Sequence, residues 1–184
     1  MADHSPDDGA KPPFSRIIAP DVGNAALEGR LEANASERRR LAEFYRINDL
    51  ASLTLDYRLD PLPSGCWRLT GLLGAELTQL CGVTLEPVAE VIEEDISLEF
   101  WPQHLIPEAA SYNEGDDILE SDPPEPIVNG KIDLGHLAAE IFASAINPYP
   151  RKPGVEFDWT DPAAAANEAA SKPFAALARL KGKP

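Results

Sequence analysis

The chain has 184 residues, 43% of them apolar, which is enough for one ordinary core with tails. Its formal net charge is −15, and the stretch between Arg68 and Lys131 holds 14 acids and no lysine or arginine, a field that repels a phosphate backbone and attracts basic partners. No apolar run approaches the roughly 18–20 residues needed to cross a bilayer, and the acidic opening MADHSPDDGAKPPF lacks the basic and apolar regions of a signal peptide, so a cytoplasmic protein with reduced Cys66 and Cys81 is expected.

Residues 1–12 are small, polar and aperiodic, and predict a disordered leader. Phe14-Ser15-Arg16-Ile17-Ile18, between Pro13 and Pro20, is a short strand candidate. Ser36 is placed to cap a helix of about three turns over residues 36–46, with Leu41, Phe44 and Tyr45 on one face. Leu53, Leu55, Tyr57 and Leu59 alternate with Thr54, Asp56, Arg58 and Asp60, the pattern of a half-buried strand. Pro61-Leu62-Pro63-Ser64-Gly65 turns the chain, and the return strand puts Trp67, Leu69, Gly71, Leu73, Ala75 and Leu77 on one face. Beyond Cys81-Gly82, a third strand is expected to leave with Val83 and Leu85. Ile96, Leu98 and Phe100 continue it on the opposite parity, which implies a bulge near Glu93-Glu94-Asp95. Turns this short join antiparallel neighbours.

Residues 103–128, rich in proline and acids, predict a long mobile acidic loop within the domain. Leu134, Leu137, Ala138, Ile141 and Ala145 form an apolar helix stripe that Asp133 can cap and Asn147-Pro148 ends. Residues 149–154 should run extended, Val155-Glu156-Phe157 are an edge-strand candidate, and residues 159–184 predict a weakly ordered Ala- and Lys-rich tail. The expectation is a single α+β domain over residues 13–158, an antiparallel β-meander or partly closed barrel packed with two main helices.

The chemical inventory is thin. His4 lies in the leader, His104 beside the acidic loop and His136 one turn into the second helix, none next to a recognisable nucleophile. No phosphate loop, dinucleotide fingerprint, nucleophile elbow or HExxH is present. Glu114-Gly115-Asp116-Asp117 lacks the alternate-position ligands of a calcium loop. Gly71-Leu72-Leu73-Gly74 matches a bare GXXG, but sits in a strand pattern, where close strand packing explains it better than an RNA clamp. No catalytic residue, metal, cofactor or small-molecule substrate is therefore expected. The basic residues are more suggestive. Arg38, Arg39, Arg40 and Arg46 share a helix with Tyr45, and Lys172, Arg179, Lys181 and Lys183 end the chain without an acid, so phosphate contact is open to them.

Two stretches carry a resemblance: Thr78-Gln79-Leu80-Cys81-Gly82-Val83-Thr84-Leu85-Glu86-Pro87-Val88, and Asp133-Leu134-Gly135-His136-Leu137-Ala138-Ala139-Glu140-Ile141 running into Asn147-Pro148-Tyr149-Pro150-Arg151-Lys152-Pro153-Gly154. With Pro13-Phe14-Ser15-Arg16 in front, the set is similar to the YceD family, the large ribosomal RNA accumulation proteins, in an alphaproteobacterial-like form. The resemblance implies a non-enzymatic factor for accumulation or processing of large-subunit ribosomal RNA. Its partners would be ribosomal RNA, touched through Arg38, Arg39, Arg40, Arg46, Tyr149, Arg151 and Lys152, or basic ribosomal and assembly proteins. Many members carry C-x-x-C at the hairpin. Here Cys81, Leu85, Glu86 and Pro87 keep the family text but Thr84 stands at the second cysteine position, so one thiolate alone faces a tetrahedral zinc requirement. The rival reading is a generic acidic protein-interaction module without a ribosomal role.

Overall fold

The structure is a computed structural model that describes residues 12–20, 25–106 and 123–156. The chain divides into two compact units, Met1–Lys152 and Pro153–Pro184, and every helix and strand below belongs to the first. The leader 1–11, the acidic segment 107–122 and residues 157–184 lie outside the described residues.

In chain order the elements are β1 (Ile17–Ile18), β2 (Leu27–Glu32), α1 (Ala35–Tyr45), β3 (Asp49–Pro61), β4 (Trp67–Leu80), β5 (Pro87–Pro102), β6 (Glu125–Ile127), β7 (Ile132–Asp133) and α2 (Leu134–Ala145). Five strands form an open sheet in the order β2-β3-β4-β5-β6, and β1 pairs with β7 in a separate two-stranded ribbon. The expected meander is the centre of the sheet, since β3-β4 and β4-β5 are both antiparallel. The expected alternative, partial barrel closure, is not what forms, because β2 and β6 end the sheet on either side. β6 joins β5 in parallel, so part of the segment expected as loop, 125–127, is a strand, and Gln103–Leu105 is a 3₁₀ turn. β2 has no counterpart among the expected elements.

The alternation in β3 and β4 predicts their buried faces well. Leu53, Leu55, Leu59, Trp67, Leu69, Leu73, Ala75 and Leu77 are all core. Gly71 shares this face by alternation, and nothing larger fits there: a Cβ would run into the Asp56 carbonyl oxygen. The GXXG is thus a place of close strand approach. The third strand differs from expectation. Val83 and Leu85 lie in the turn, with Leu85 at φ 58 and mostly exposed. β5 starts at Pro87 and pairs with β4 without interruption from Leu80↔Pro87 to Trp67↔Phe100. Its buried residues Ile92, Ile96 and Phe100 share one parity, so no bulge is needed at Glu93–Asp95. The register shift falls instead in β3, between Leu50 and Ser52. It lets Leu50 and Leu53, of opposite parity, both point inward. Val155 and Glu156 are in no strand, and Phe157 lies outside the described residues.

Both helices are fixed at their N-termini by one short strap, Phe14-Ser15-Arg16. The cap of α1 is Asn34 rather than Ser36: its Oδ1 accepts from the N–H groups of Ser36 (2.9 Å) and Glu37 (3.0 Å), and Glu37 Oε2 accepts from Asn34 N (2.9 Å). This reciprocal box satisfies donors that a helix start leaves open. Glu37 is also gripped by both guanidinium nitrogens of Arg16 at 2.8 Å, while the guanidinium sits 4.7 Å from the Phe14 ring centroid. At α2, Asp133 caps as expected. Its carboxylate accepts from His136 N (3.1 Å), Arg16 N (2.7 Å) and Ser15 Oγ (2.6 Å), and Leu134 N donates to Arg16 O. Gly135 allows this approach, because a Cβ would meet Arg16 N at 2.5 Å. The helices touch through Tyr45, whose hydroxyl donates to Ala139 O (2.8 Å) and whose ring packs edge-on against Phe142 (5.7 Å). Burial, with Glu140 nearby, pushes the Tyr45 phenol up to about 12. Of the expected stripe on α2, Leu134, Leu137 and Ala138 are buried. Phe142, outside that stripe, is fully buried, whereas Ile141 is only partly so.

Arg16 and its neighbours hold the carboxylates of Glu37 and Asp133 below their ordinary range. For Glu37 the bond from Arg16 is the main cause; at Asp133 burial is the largest influence and opposes the shift, but the donors from Ser15, Arg16 and His136 together outweigh it. A depressed carboxylate stabilises the fold above its unfolded pKa of about 4, and that contribution fades as pH falls through the folded value. Arg16→Ala is expected to lower stability by about 2–3 kcal/mol, less than for a fully buried pair because the guanidinium is one-third exposed. The urea midpoint of Glu37→Gln should fall less than that of the wild type between neutral pH and about pH 3. Parallel pH profiles would show that Glu37 is not held this way.

Candidate functional site

The two motif stretches that carry the resemblance, far apart in sequence, fold into one laced unit at the end of the β4–β5 hairpin. The turn after β4 closes on itself: Cys81 N donates to Glu86 O (2.8 Å) and Leu85 N to Cys81 O (2.9 Å). The segment after α2 is then tied to it. Gln79 Nε2 donates to Asn147 O (3.0 Å), Gly82 N to Pro150 O (2.9 Å), Lys152 N to Cys81 Sγ (3.5 Å) and Lys152 Nζ to Glu86 Oε2 (2.8 Å). Cys81, Glu86 and Lys152 are therefore first of all fasteners between hairpin and segment.

The Cys81 sulfur sits in a nest of donors. Lys152 N donates to it (3.5 Å), and the Thr84 hydroxyl and the backbone N–H groups of Thr84 and Val83 lie close enough to favour its charged form; together they pull the thiol down to about 6. The Cys81 side chain has no solvent exposure, yet it lies outside the main apolar core. Desolvation is accordingly the weakest of its influences, and a thiolate is the state this nest favours. The Thr84 hydroxyl has one proton and two acceptors, the sulfur and Glu86 Oε2 at 3.4 Å. Cys66 is also buried and free, with its thiol pushed up by burial. Among the described residues no group of three His, Cys, Asp or Glu is placed to hold a metal ion. His136 Nε2 faces Glu140 Oε1 at 3.4 Å, and neither it nor His104 hydrogen-bonds a hydroxyl or thiol among the described residues.

The residues expected to contact RNA separate into two groups. Asn48 N donates to Thr78 O (3.1 Å) and Gln79 Nε2 to Asn147 O, so the C-terminal end of α1 and the 147–152 segment both meet the last residues of β4. This brings Arg46, Tyr149 and Arg151 to the same end of the sheet. Tyr149 is 79% exposed and Phe44, on the last turn of α1, 40%. Arg46, which caps the helix at φ 57, is exposed like Arg151. Arg38, Arg39 and Arg40 lie six to eight residues back along α1, roughly 9–12 Å at 1.5 Å per residue. Arg39 and Arg40 are exposed, whereas Arg38 Nη1 is spent on Ala33 O (2.7 Å) and Lys152 on Glu86. Phe44 was not among the expected contacts. Its place on a helix face that the pattern assigned to the core concealed it.

The sulfur nest predicts a measurable titration. In a Cys66→Ser background, the ultraviolet thiolate absorbance of the folded protein should titrate with a midpoint of about 6. Thr84→Val should move that midpoint up toward the ordinary thiol range, because the leading donor is removed. A depressed thiol adds stability above its unfolded pKa that is lost as pH falls through about 6, so the Cys81→Ala protein should show the smaller loss on acidification across that range. A wild-type midpoint above 8.5, the unperturbed value, would contradict the nest.

A family model described as "Large ribosomal RNA subunit accumulation protein YceD" matches residues 69–181. That span takes in the hairpin turn, α2 and the 147–152 segment, the parts just described as one unit. Neither the curated proteins nor the solved structures contain a match. The match covers well over half of the chain, and the chain belongs to the YceD family.

Proposed function

We propose that the protein is a non-catalytic ribosome-biogenesis factor that promotes accumulation or processing of large-subunit ribosomal RNA by binding it. The family description supports the process. The observation that carries direct RNA contact is the distribution of arginines. Arg16, Arg30, Arg58 and Arg68 are each ion-paired to a carboxylate. Arg39, Arg40, Arg46 and Arg151 have no acidic partner among the described residues, and they line α1 and the hairpin end beside the exposed Tyr149 and Phe44. Exposed cations next to exposed aromatic rings suit single-stranded RNA, whose phosphates pair with guanidinium groups and whose unstacked bases pack on aromatic faces. Arg38 and Lys152, already engaged within the fold, contribute less. This reading includes a cytoplasmic setting, where ribosomes assemble. Among the described residues no helix is long and apolar enough to cross a membrane.

The reading separates into two measurable parts. Single-stranded binding loses affinity with salt at a slope of about −0.7 per phosphate contact. Replacing Arg39, Arg40 and Arg46 by alanine should weaken binding of a single-stranded large-subunit RNA fragment and flatten the slope by about 2. Tyr149→Ala should cost roughly 1–3 kcal/mol of affinity and leave the slope unchanged. An unaltered affinity and slope in the arginine variant would place the contact elsewhere. Failure of the wild-type protein to bind RNA or to co-sediment with precursor large-subunit particles would overturn the function itself.

A further inference from the structure

Among the described residues the central sheet has one face under the helices and one face that no element covers, and this bare face is divided. Toward β2 it neutralises itself through Arg30–Asp56 at 2.8 Å and through Arg58 with Glu28 at 3.4 Å and with Asp60 at 2.9 Å, and at the Trp67 end of β4 through Arg68–Glu99 at 2.8 Å. The half built by β4 and β5 toward the hairpin end is different. Its register sets Leu72 opposite Asp95, Gly74 opposite Glu93 and Glu76 opposite Val91. Glu93 thus lies between Glu76, diagonally across the ladder, and Asp95, two residues along β5, all on one surface, and no basic side chain among the described residues pairs with them. Like charges at such spacing oppose the isolated sheet. Two apolar side chains stand exposed among them, Val91 at 69% and Leu72 at 42%, and Gly74, beside the Thr54 hydroxyl, adds no side chain between them.

We propose that this half-face is a docking surface for an extended basic polypeptide in which lysines or arginines alternate with apolar residues. Charge complementarity selects the partner. Three uncompensated carboxylates repel RNA, and the described residues hold no group of three acids, His or Cys close enough to share a metal ion. A second copy of the chain brings a net charge of −15 and the same acidic face, so self-association is disfavoured. An extended segment turns every second side chain toward the sheet, so its apolar set can rest on Leu72 and Val91 while the long flexible stems of its lysines or arginines fold around the backbone to the acids that frame them. The surface lies across the sheet from the helical layer that carries Arg39 and Arg40, so the inference stands whether or not RNA is bound there.

The test uses the purified full chain and a short fluorescent peptide of alternating lysine and valine, read by anisotropy. The triple variant Glu76→Gln, Glu93→Gln, Asp95→Asn should bind about tenfold more weakly, the sum expected of three exposed charge pairs. Glu114→Gln, Asp116→Asn, Asp117→Asn removes the same charge from the acidic stretch elsewhere and should change affinity less than about twofold. Leu72→Ser with Val91→Thr should also weaken the peptide, while a lysine–serine peptide should bind the wild type more weakly and be indifferent to that change. Relief of like-charge repulsion should leave the urea midpoint of the sheet triple equal to or above that of the wild type. Equal losses in the two triples would reduce the effect to net charge and overturn the site, as would an unaffected sheet triple, no peptide binding by the wild type, or wild-type self-association that the sheet triple abolishes.

Discussion

The contact on which the rest of this structure depends is the grip of Arg16 on Glu37, made by the same residue whose backbone N–H binds Asp133. A helix begins with donors that lack partners. Here the two helices begin on the same strap: Glu37 closes the capping box of α1 while accepting Arg16, and Asp133 caps α2 while accepting Ser15 and the Arg16 amide. Phe14, 2% exposed, anchors the strap in the core. One tripeptide thereby sets the position of both helices on the sheet, and the pairing of β1 with β7 follows as its continuation.

With the N-termini held, the opposite ends of the helices have little freedom. Tyr45 and Phe142 lock the helices together across Ala139, and both chains leave toward the last residues of β4, through Asn48 and Asn147. The hairpin turn is thus the meeting point of three segments. Its hydrogen bonds converge on the Cys81 sulfur and on Glu86. Donors that in a two-cysteine turn would favour a thiolate ligand here serve a single sulfur, with Thr84 supplying a hydroxyl in place of a second thiol.

The charge pattern has a structural form that net charge conceals. Among the described residues, exposed arginines without acidic partners lie on α1 and at the hairpin end, whereas Glu76, Glu93 and Asp95 lie without basic partners on the face of the sheet turned away from the helices. If the two proposed contacts are made, a phosphate chain and a basic polypeptide would occupy different surfaces and not compete.

Much of this was legible in the order of residues. Strict alternation read out the inner faces of β3 and β4, because a side chain in a strand has only two directions to take. Asp133 and the Asn147-Pro148 stop bounded α2 for equally local reasons, and the family followed from three short motifs. Other features were not local and could not be read. β2 has too few apolar residues to announce itself and exists because the exposed edge of β3 accepts it. Val83 and Leu85 appear strand-like, yet the Cys81–Glu86 hydrogen bond puts them in a turn, and with them removed the apparent parity break in β5 vanishes. The Asn34 cap, by contrast, had a local signal, Glu37 three residues on, which the choice of Ser36 passed over. Composition and periodicity determined the fold class, the core strands and the absence of recognisable catalytic motifs. Which arginines are left without acids, which acids share a bare face and which cysteine sulfur is ringed by donors were decided by contacts between residues tens of positions apart, and those exist only in the folded chain.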